Sequence, residues 1–574
     1  MFKRAWNSSR HSAWWGAAAI AVIVAALLHP ALGTGKGLVP ADGVFFLLPW
    51  RALPHQRISN FLLGDQYLNF IPLRHFIYEN IQMGRFPLWN PYISCGVPNI
   101  ASLQTASLYP IHLALSWINP FDSGVWVAFL KLFIAGFSTF LYMRLLKVGT
   151  AGALLSGITF ALCGFMLMWL GHPHVSCICL LPVLLYFIEF GLTDGRAWAG
   201  YAVAYGCMIL GGHPPSIIHV TIVVSAYFLF RLSDERGVKD DRRKKHSLAA
   251  FLGATAVGAA IAGPQLAPFL EYYGHSSVAL SAASLKRWAA NLSPNALAQF
   301  FLPHISGTPS AFGNLEGVFG FTSTENFNER NGFVGIVPLL LACVAVFHRR
   351  ERWIRFYAAA IGCCFWVIYG LPPMPQVLGA IPILNSMNHI RLMFFLCFSL
   401  AVLAGAGLDA LEGLGASQRR NLAVGAGVTA LLVLFWTREF FRPIFPELTL
   451  AEKSFVLQQL PMFGGGVLAA ILAVVIGKMT MRPYVKALCL AWTAFELLWF
   501  GIGSNPAIDR SLYYPATPAI EKLRQDPSLF RIIGMDWILA PDTGIVFGLQ
   551  DVRGQDFTTV RRFEELMTGK AGDF

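Results

Sequence analysis

Long apolar runs separated by short polar connectors set the pattern of this chain. The runs fall at residues 13–33, 124–146, 151–170, 177–193, 198–212, 216–231, 248–270, 333–348, 356–370, 392–410, 421–437, 462–478 and 486–502. Allowing for tilt and short flanks, runs of this length suit helices that cross a hydrocarbon layer. The pattern predicts an all-α polytopic membrane bundle of about 13 transmembrane helices over residues 1–502. Two polar stretches, 34–123 and 271–332, are too long to be turns and read as large loops on one face. From residue 503 the pattern changes. IEKLRQ and TTVRRFEELM have helical periodicity and FRIIGM reads as a buried strand, so 503–574 is expected to form part of an extracytoplasmic α/β domain, short of a complete sheet.

The first loop carries the densest polar and aromatic pattern. Asp65 and Gln66 are followed by Arg74 and His75 within about three helical turns. An amphipathic segment from Pro72 to Met83 stops at Gly84, where a left-handed cap fits. Then come FPLWNPY, with Trp89 between prolines, Gly96, Pro98, Gln104 and Tyr109-Pro110. Tyr, Trp and Pro at this density suit the membrane–water boundary.

Composition agrees with the membrane reading: 55% of residues are hydrophobic, 13% are charged, and the mean hydropathy is +0.55. A soluble globular chain of 574 residues is excluded. The formal charge of +12 does not point to nucleic acid, because Lys and Arg gather in short connectors. These hold Arg144 and Lys147, Arg196, the run SDERGVKDDRRKKH at 233–246, HRRERWIR at 348–355, Arg419-Arg420, and Lys478, Arg482 and Lys486. Under the positive-inside rule the N-terminus and these connectors are cytoplasmic, and an odd span count puts the C-terminus outside. Lys3, Arg4 and Arg10 before the run Ala13–Leu28 read as a retained signal-anchor rather than a cleaved leader. The ten cysteines fall almost entirely in apolar segments and make neither a disulfide framework nor a zinc spacing.

Candidate chemistry collects in the loops of the outer face. Asp65 can act as general base on an acceptor hydroxyl, hold a metal, or cap the helix that follows. Arg74, His75 and Arg85 can neutralise a phosphate or anchor in headgroups. His172, His174 and His213 lie in two similar Gly-His-Pro turns at helix mouths, where ionisable groups are costly and tend to mark function; each can equally be an interfacial His bonded to backbone. Gln265 sits where Gly263 and Pro268 should distort a helix, and Glu271 at its end can face Asp65 or solvent. Glu325, Asn328, Glu329 and Arg330 read as surface polar residues. Arg391, beside Asn385, Asn388 and His389, enters an apolar helix from the face that the charge rule leaves without cations, so it needs a phosphate, an acid such as Glu271, or a route to the interface. No P-loop, dinucleotide fingerprint, zincin motif or nucleophile elbow is present, which argues against an ATP-driven pump and a sugar-nucleotide enzyme.

The succession Asp65-Gln66, Gly84, Pro87-Leu88-Trp89-Asn90-Pro91, Gly96-x-Pro98, Gln104 and Tyr109-Pro110 resembles the YfhO-type bacterial membrane proteins. Echoes follow at Gly171–Pro173, Gly211–Pro215, Gly263–Glu271 and Ile381–Phe395. That family is similar to the GT-C glycosyltransferases, so the resemblance implies a bacterial cytoplasmic-membrane enzyme. It implies transfer of a sugar from a polyprenyl-phosphate donor to a cell-envelope glycan, polymer or lipid acceptor. On that basis Asp65 is the catalytic base, and Gln66, Arg74, His172, His174, His213, Gln265, Glu271 and Arg391 bind substrate. Gln66 stands where the family's paired-acid version has a second acid, which puts a two-carboxylate metal site in doubt. No cofactor is called for, and a divalent metal stays open. The alternative of another class is a transporter or flippase for a lipid-linked or anionic glycan, which should show mid-membrane charges and similar halves. A non-catalytic assembly factor is a third reading.

Overall fold

A computed structural model describes residues 2–54, 58–233, 241–276, 291–305, 307–309, 326–442, 450–476, 482–555 and 558–569. Glu325, Lys478 and much of the 271–332 loop lie outside the described residues. A helix lies at each of the thirteen apolar runs. Among the described residues, eight helices are long and apolar enough to cross a membrane, or nine if one bent pair counts as a single span. The chain is thus a multi-pass, mostly helical membrane protein. Several helices fall short of the expected spans. Ala197–Leu210 and Ile336–His348 have 14 and 13 residues. At 1.5 Å per residue such helices reach only about 20 Å. The expected span 248–270 is also corrected: Asp241–Ile261 and Gly263–Gly274 meet at 76°. Pro264 and Pro268 withhold the N–H groups that would carry the helix through the break.

The helix Met393–Ala410 is buried along nearly its whole length and packs against Ile336–His348, Arg352–Ile368 and Thr150–Ala161. Lipid tails are as apolar as Leu, so this packing relies on close approach rather than on a hydrophobic drive. Glycines allow it. A Cβ on Gly157 would lie 2.6 Å from the Gly136 carbonyl oxygen, and one on Gly407 would overlap the Leu341 carbonyl. Helix starts inside the bundle need acceptors for N–H groups that no water can reach. The buried Ile336 N–H donates to both carboxylate oxygens of Glu496 at 3.0 Å; at a half-exposed helix start, the Gly149 N–H donates to Asp409 at 2.5 Å.

The first loop forms a layer over one end of the bundle. The segment expected from Pro72 to Met83 is a helix, Ile71–Gln82, ending at Gly84 with φ +66°. Trp89–Asn90 and Val97–Pro98 pair antiparallel, Trp89 opposite Pro98.

The tail differs from the expected α/β domain. Pro518–Arg524 and Arg561–Thr568 are helices, but FRIIGM contributes only one bridge, Ile532 to Asp551, and no strand forms among the described tail residues. The reason lies in where its apolar side chains go. Ile508, Tyr514, Ile520, Leu539, Ala540 and Leu549 share a core with first-loop residues including Val39, Phe45, Trp50, Tyr67 and Ile71. The Trp50 indole donates to the Pro515 carbonyl at 2.9 Å, and the Asn69 amide to Asp542 at 2.7 Å. The tail completes the loop layer instead of building a sheet of its own.

Candidate active site at the mouth of the bundle

Asp65 opens a π-helical turn, Gln66–Phe70, that feeds the helix Ile71–Gln82. Turns of this kind are rare and recur at functional sites. The Asp65 side chain makes no capping bond to the turn behind it and remains exposed. Surrounding protein raises its carboxyl above the ordinary Asp value, and the charge of Arg391 pulls the other way. The residue therefore does not cap the helix that follows, and its carboxylate feels the charge of Arg391.

Gln66 is buried, and its amide lies 3.4 Å from His172 Nδ1. A Cβ at Gly171 would overlap the Gln66 side-chain amide, which would then have to leave its place beside His172. The His172 ring stands edge-on to Trp169 at 4.9 Å and to Phe70 at 5.8 Å. Burial, with help from Arg391, Lys131 and Arg74, pushes its imidazole down to about 3, so it is neutral. His174 is sandwiched between Trp169 at 4.5 Å and His213 at 3.7 Å, both stacked.

Arg391 closes this wall. Its Nη1 donates to His213 Nε2 at 2.9 Å, its Nη2 meets Glu329 at 3.4 Å, and its guanidinium lies 5.2 Å from the centre of the Trp169 ring. Arg391 thus meets His213 at Nε2, while the other ring nitrogen, Nδ1, lies 2.8 Å from Ser216 Oγ and accepts the Ser216 N–H at 3.2 Å. Burial holds His213 well below its ordinary value and so keeps it an acceptor. Glu329 also accepts from Asn388 at 3.2 Å, and burial raises its carboxyl while Arg391 lowers it.

Gln66, His172, His174, His213 and Arg391 thus form one linked group, and the Arg391 charge reaches Asp65, the residue before Gln66. Three expected site residues stand elsewhere. Arg74 opens on a neighbouring recess, where it reaches the Gly171 carbonyl at 3.5 Å. Gln265 is fully buried and braces the first loop by donating to the Leu103 carbonyl at 3.3 Å. Glu271 is exposed, and the acid that meets Arg391 is Glu329 from the short helix Phe327–Arg330. Glu329 was legible only as a surface residue, because nothing in its own neighbourhood shows that residues 327–330 pack against the turn His389–Leu392. Trp169 was hidden in an apolar run. Lys131 was not hidden: a lone lysine inside the run 124–146 is a signal in itself.

No group of three or more His, Cys, Asp or Glu among the described residues is arranged to hold a metal. The stacked rings of His174 and His213 explain part of this. Their lone pairs lie in nearly parallel planes, 26° apart, and do not converge on one point.

No family model and no curated protein matches the chain. Solved structures similar to it include ArnT from Cupriavidus metallidurans in the apo state, with 13% identity, 88% of this chain and 83% of that one covered, and a TM-score of 0.44. The same protein bound to undecaprenyl phosphate gives 13% identity, coverage of 93% and 84%, and a TM-score of 0.43. The archaeal oligosaccharyltransferase AglB from Archaeoglobus fulgidus, in complex with an inhibitory peptide and a dolichol-phosphate, gives 11% identity, coverage of 96% and 65%, and a TM-score of 0.38.

Proposed function

We propose that this protein is a GT-C-like glycosyltransferase of the bacterial cytoplasmic membrane, with its N-terminus cytoplasmic and its site on the outer face. It moves a sugar from a polyprenyl-phosphate donor to a glycan, polymer or lipid acceptor. The observation that carries this reading is the exposed, uncapped Asp65 on the π-helical turn whose next residue, Gln66, joins the His172–His213–Arg391 group, with the Arg391 charge acting on its carboxyl. The Asp65 carboxylate takes the proton of the acceptor hydroxyl as its oxygen bonds to the anomeric carbon. The bond from that carbon to the phosphate oxygen breaks, and the carrier phosphate leaves with the electron pair. Arg391 meets the charge that develops there, using a guanidinium already oriented by His213 and Glu329. One base suffices, so the anomeric carbon inverts. Gln66 and the rings of His172, His174 and His213 wall the site, and Gln66, His172 and His213 supply hydrogen-bonding edges without adding charge.

The test is transfer by purified protein in liposomes, offered a panel of polyprenyl-phosphate sugars and envelope acceptors. Wild-type protein should transfer from at least one donor, and Asp65→Asn should lower that rate by about a hundredfold or more. A folded protein that transfers from none of the panel, or an Asp65→Asn variant with full activity, would sink the assignment.

A further inference from the structure

Two histidines outside the linked group meet beside it. His219 lies in the second turn of the helix Pro214–Ser233, and His389 opens the turn His389–Leu392. Both are buried, and their ring centres stand 5.4 Å apart. His219 Nε2 lies 3.1 Å from His389 Nδ1, and His389 Nε2 lies 2.8 Å from the Leu384 carbonyl oxygen. A carbonyl only accepts, so His389 donates from Nε2, and in the neutral ring its Nδ1 is left bare. His219 then donates from Nε2, and its own bare nitrogen is Nδ1, for which the described residues offer no partner. The donations run one way, from His219 to His389 to Leu384.

This short relay holds the turn that carries Arg391. The turn has only four residues, in a 3-10 form whose hydrogen-bond geometry is poor. The chain leading into it packs on little: the helix Met374–Ala380 has no buried residue, and Leu371, Val377, Ile381 and Ile383 are exposed. Ile383 takes φ +74°, a left-handed conformation that a β-branched side chain resists and that surrounding contacts must hold. His389 supplies one such contact, since the carbonyl it binds belongs to the next residue, Leu384. His219 in turn ties His389 to a helix of the bundle. The residue just before that helix, His213, holds the turn a second time by accepting from Arg391. Asn388 caps the turn at the Ile390 N–H and donates to Glu329 on the other side.

We propose that His219 and His389 are positioning residues: together they fix the turn His389–Leu392 against the helix Pro214–Ser233 and so set the place of the Arg391 guanidinium. The effect on rate rests on the transfer reaction proposed for this site; the effect on the turn rests on the two hydrogen bonds alone. A guanidinium held ready for charge that develops during transfer acts on the transition state. Loosening it therefore lowers kcat and leaves KM little changed.

Backbone exchange reads the turn without turnover. Full-length protein in phosphatidylcholine nanodiscs would be followed by hydrogen–deuterium exchange over residues 384–392. There the Met387 N–H donates to the Leu384 carbonyl and the Ile390 N–H to the Asn388 side chain. Transfer kinetics would be measured on the same variants, with thermal unfolding as the control for folding. His219→Leu keeps an apolar side chain of similar size and removes the donor. Exchange should then quicken by about fivefold or more, the loss expected for one buried hydrogen bond. In the same variant kcat should fall by about tenfold, with KM within about twofold. His219→Gln places an N–H close to where Nε2 stands and should bring both readouts back to within about threefold of wild type. His219→Asn reaches only the Nδ1 position and should behave as His219→Leu does. A role in packing alone would not separate Gln from Asn. Unchanged exchange in His219→Leu, or equal damage by Leu and Gln, would overturn the tie, and quicker exchange with an unchanged kcat would overturn the positioning of Arg391. Wild-type protein that transfers from no donor counts against the transfer reaction, and exchange still decides whether the pair holds the turn.

Discussion

Replacing Asp65 by Asn separates its chemical from its structural role. The substitution keeps size and one acceptor oxygen but removes the base. Because the Asp65 carboxylate makes no capping bond and is exposed, folding stability should change by no more than about 0.5 kcal/mol. If Asp65 takes the acceptor proton, transfer should fall by about a hundredfold or more, equivalent to roughly 2.7 kcal/mol in the barrier. The pH profile adds a sharper signature. Desolvation by the surrounding protein raises the Asp65 carboxyl, so wild-type kcat/KM should climb with pH through a value above that of an ordinary Asp. Arg391 lowers that value, so Arg391→Gln should move the acid limb further toward high pH, on top of any loss in rate. The assay is initial rate against pH in liposomes, with thermal unfolding of each variant as control. An acid limb that stays in place in Arg391→Gln, or one that survives in Asp65→Asn, would refute the claim that this carboxylate is the base.

Arg391→Lys keeps the charge but not the fork that reaches His213 and Glu329 together, and should lower transfer by about tenfold or more while melting little changes. Glu496→Ala removes both acceptors at the start of the helix Ile336–His348 and should cost about 2 kcal/mol in thermal unfolding, with Glu496→Gln milder. Trp50→Ala empties a fully buried site between first loop and tail, costing about 3 kcal/mol of packing there, and limited trypsin digestion should then cut the tail at Arg510 or Arg524 faster than in wild type. Gly407→Ala should lower expression and melting temperature, since its Cβ meets a backbone carbonyl that cannot yield.

The sequence by itself determined that this is a membrane bundle, where its helices lie, and that Asp65 and the Gly-His-Pro turns belong to its loop end. Those properties are local: apolar run length decides whether a segment leaves water, and Gly or Pro decides where a helix stops. The bend at Ala262 was legible for the same reason, through Gly263, Pro264 and Pro268, although the run still read as one span. Tertiary structure decided which polar groups meet. Glu329 rather than Glu271 pairs with Arg391 because the short helix Phe327–Arg330 packs against the turn His389–Leu392, a contact across 62 residues of chain. Arg74 parts from Arg391 because it opens on the recess beside the Leu170–Gly171 carbonyls, while Arg391 is drawn to His213 and Trp169. The tail reads locally as helix, strand and helix, yet its apolar side chains find a better surface on the first loop than on one another. Charge pairing and shared burial depend on separation in space, and sequence distance carries no record of it.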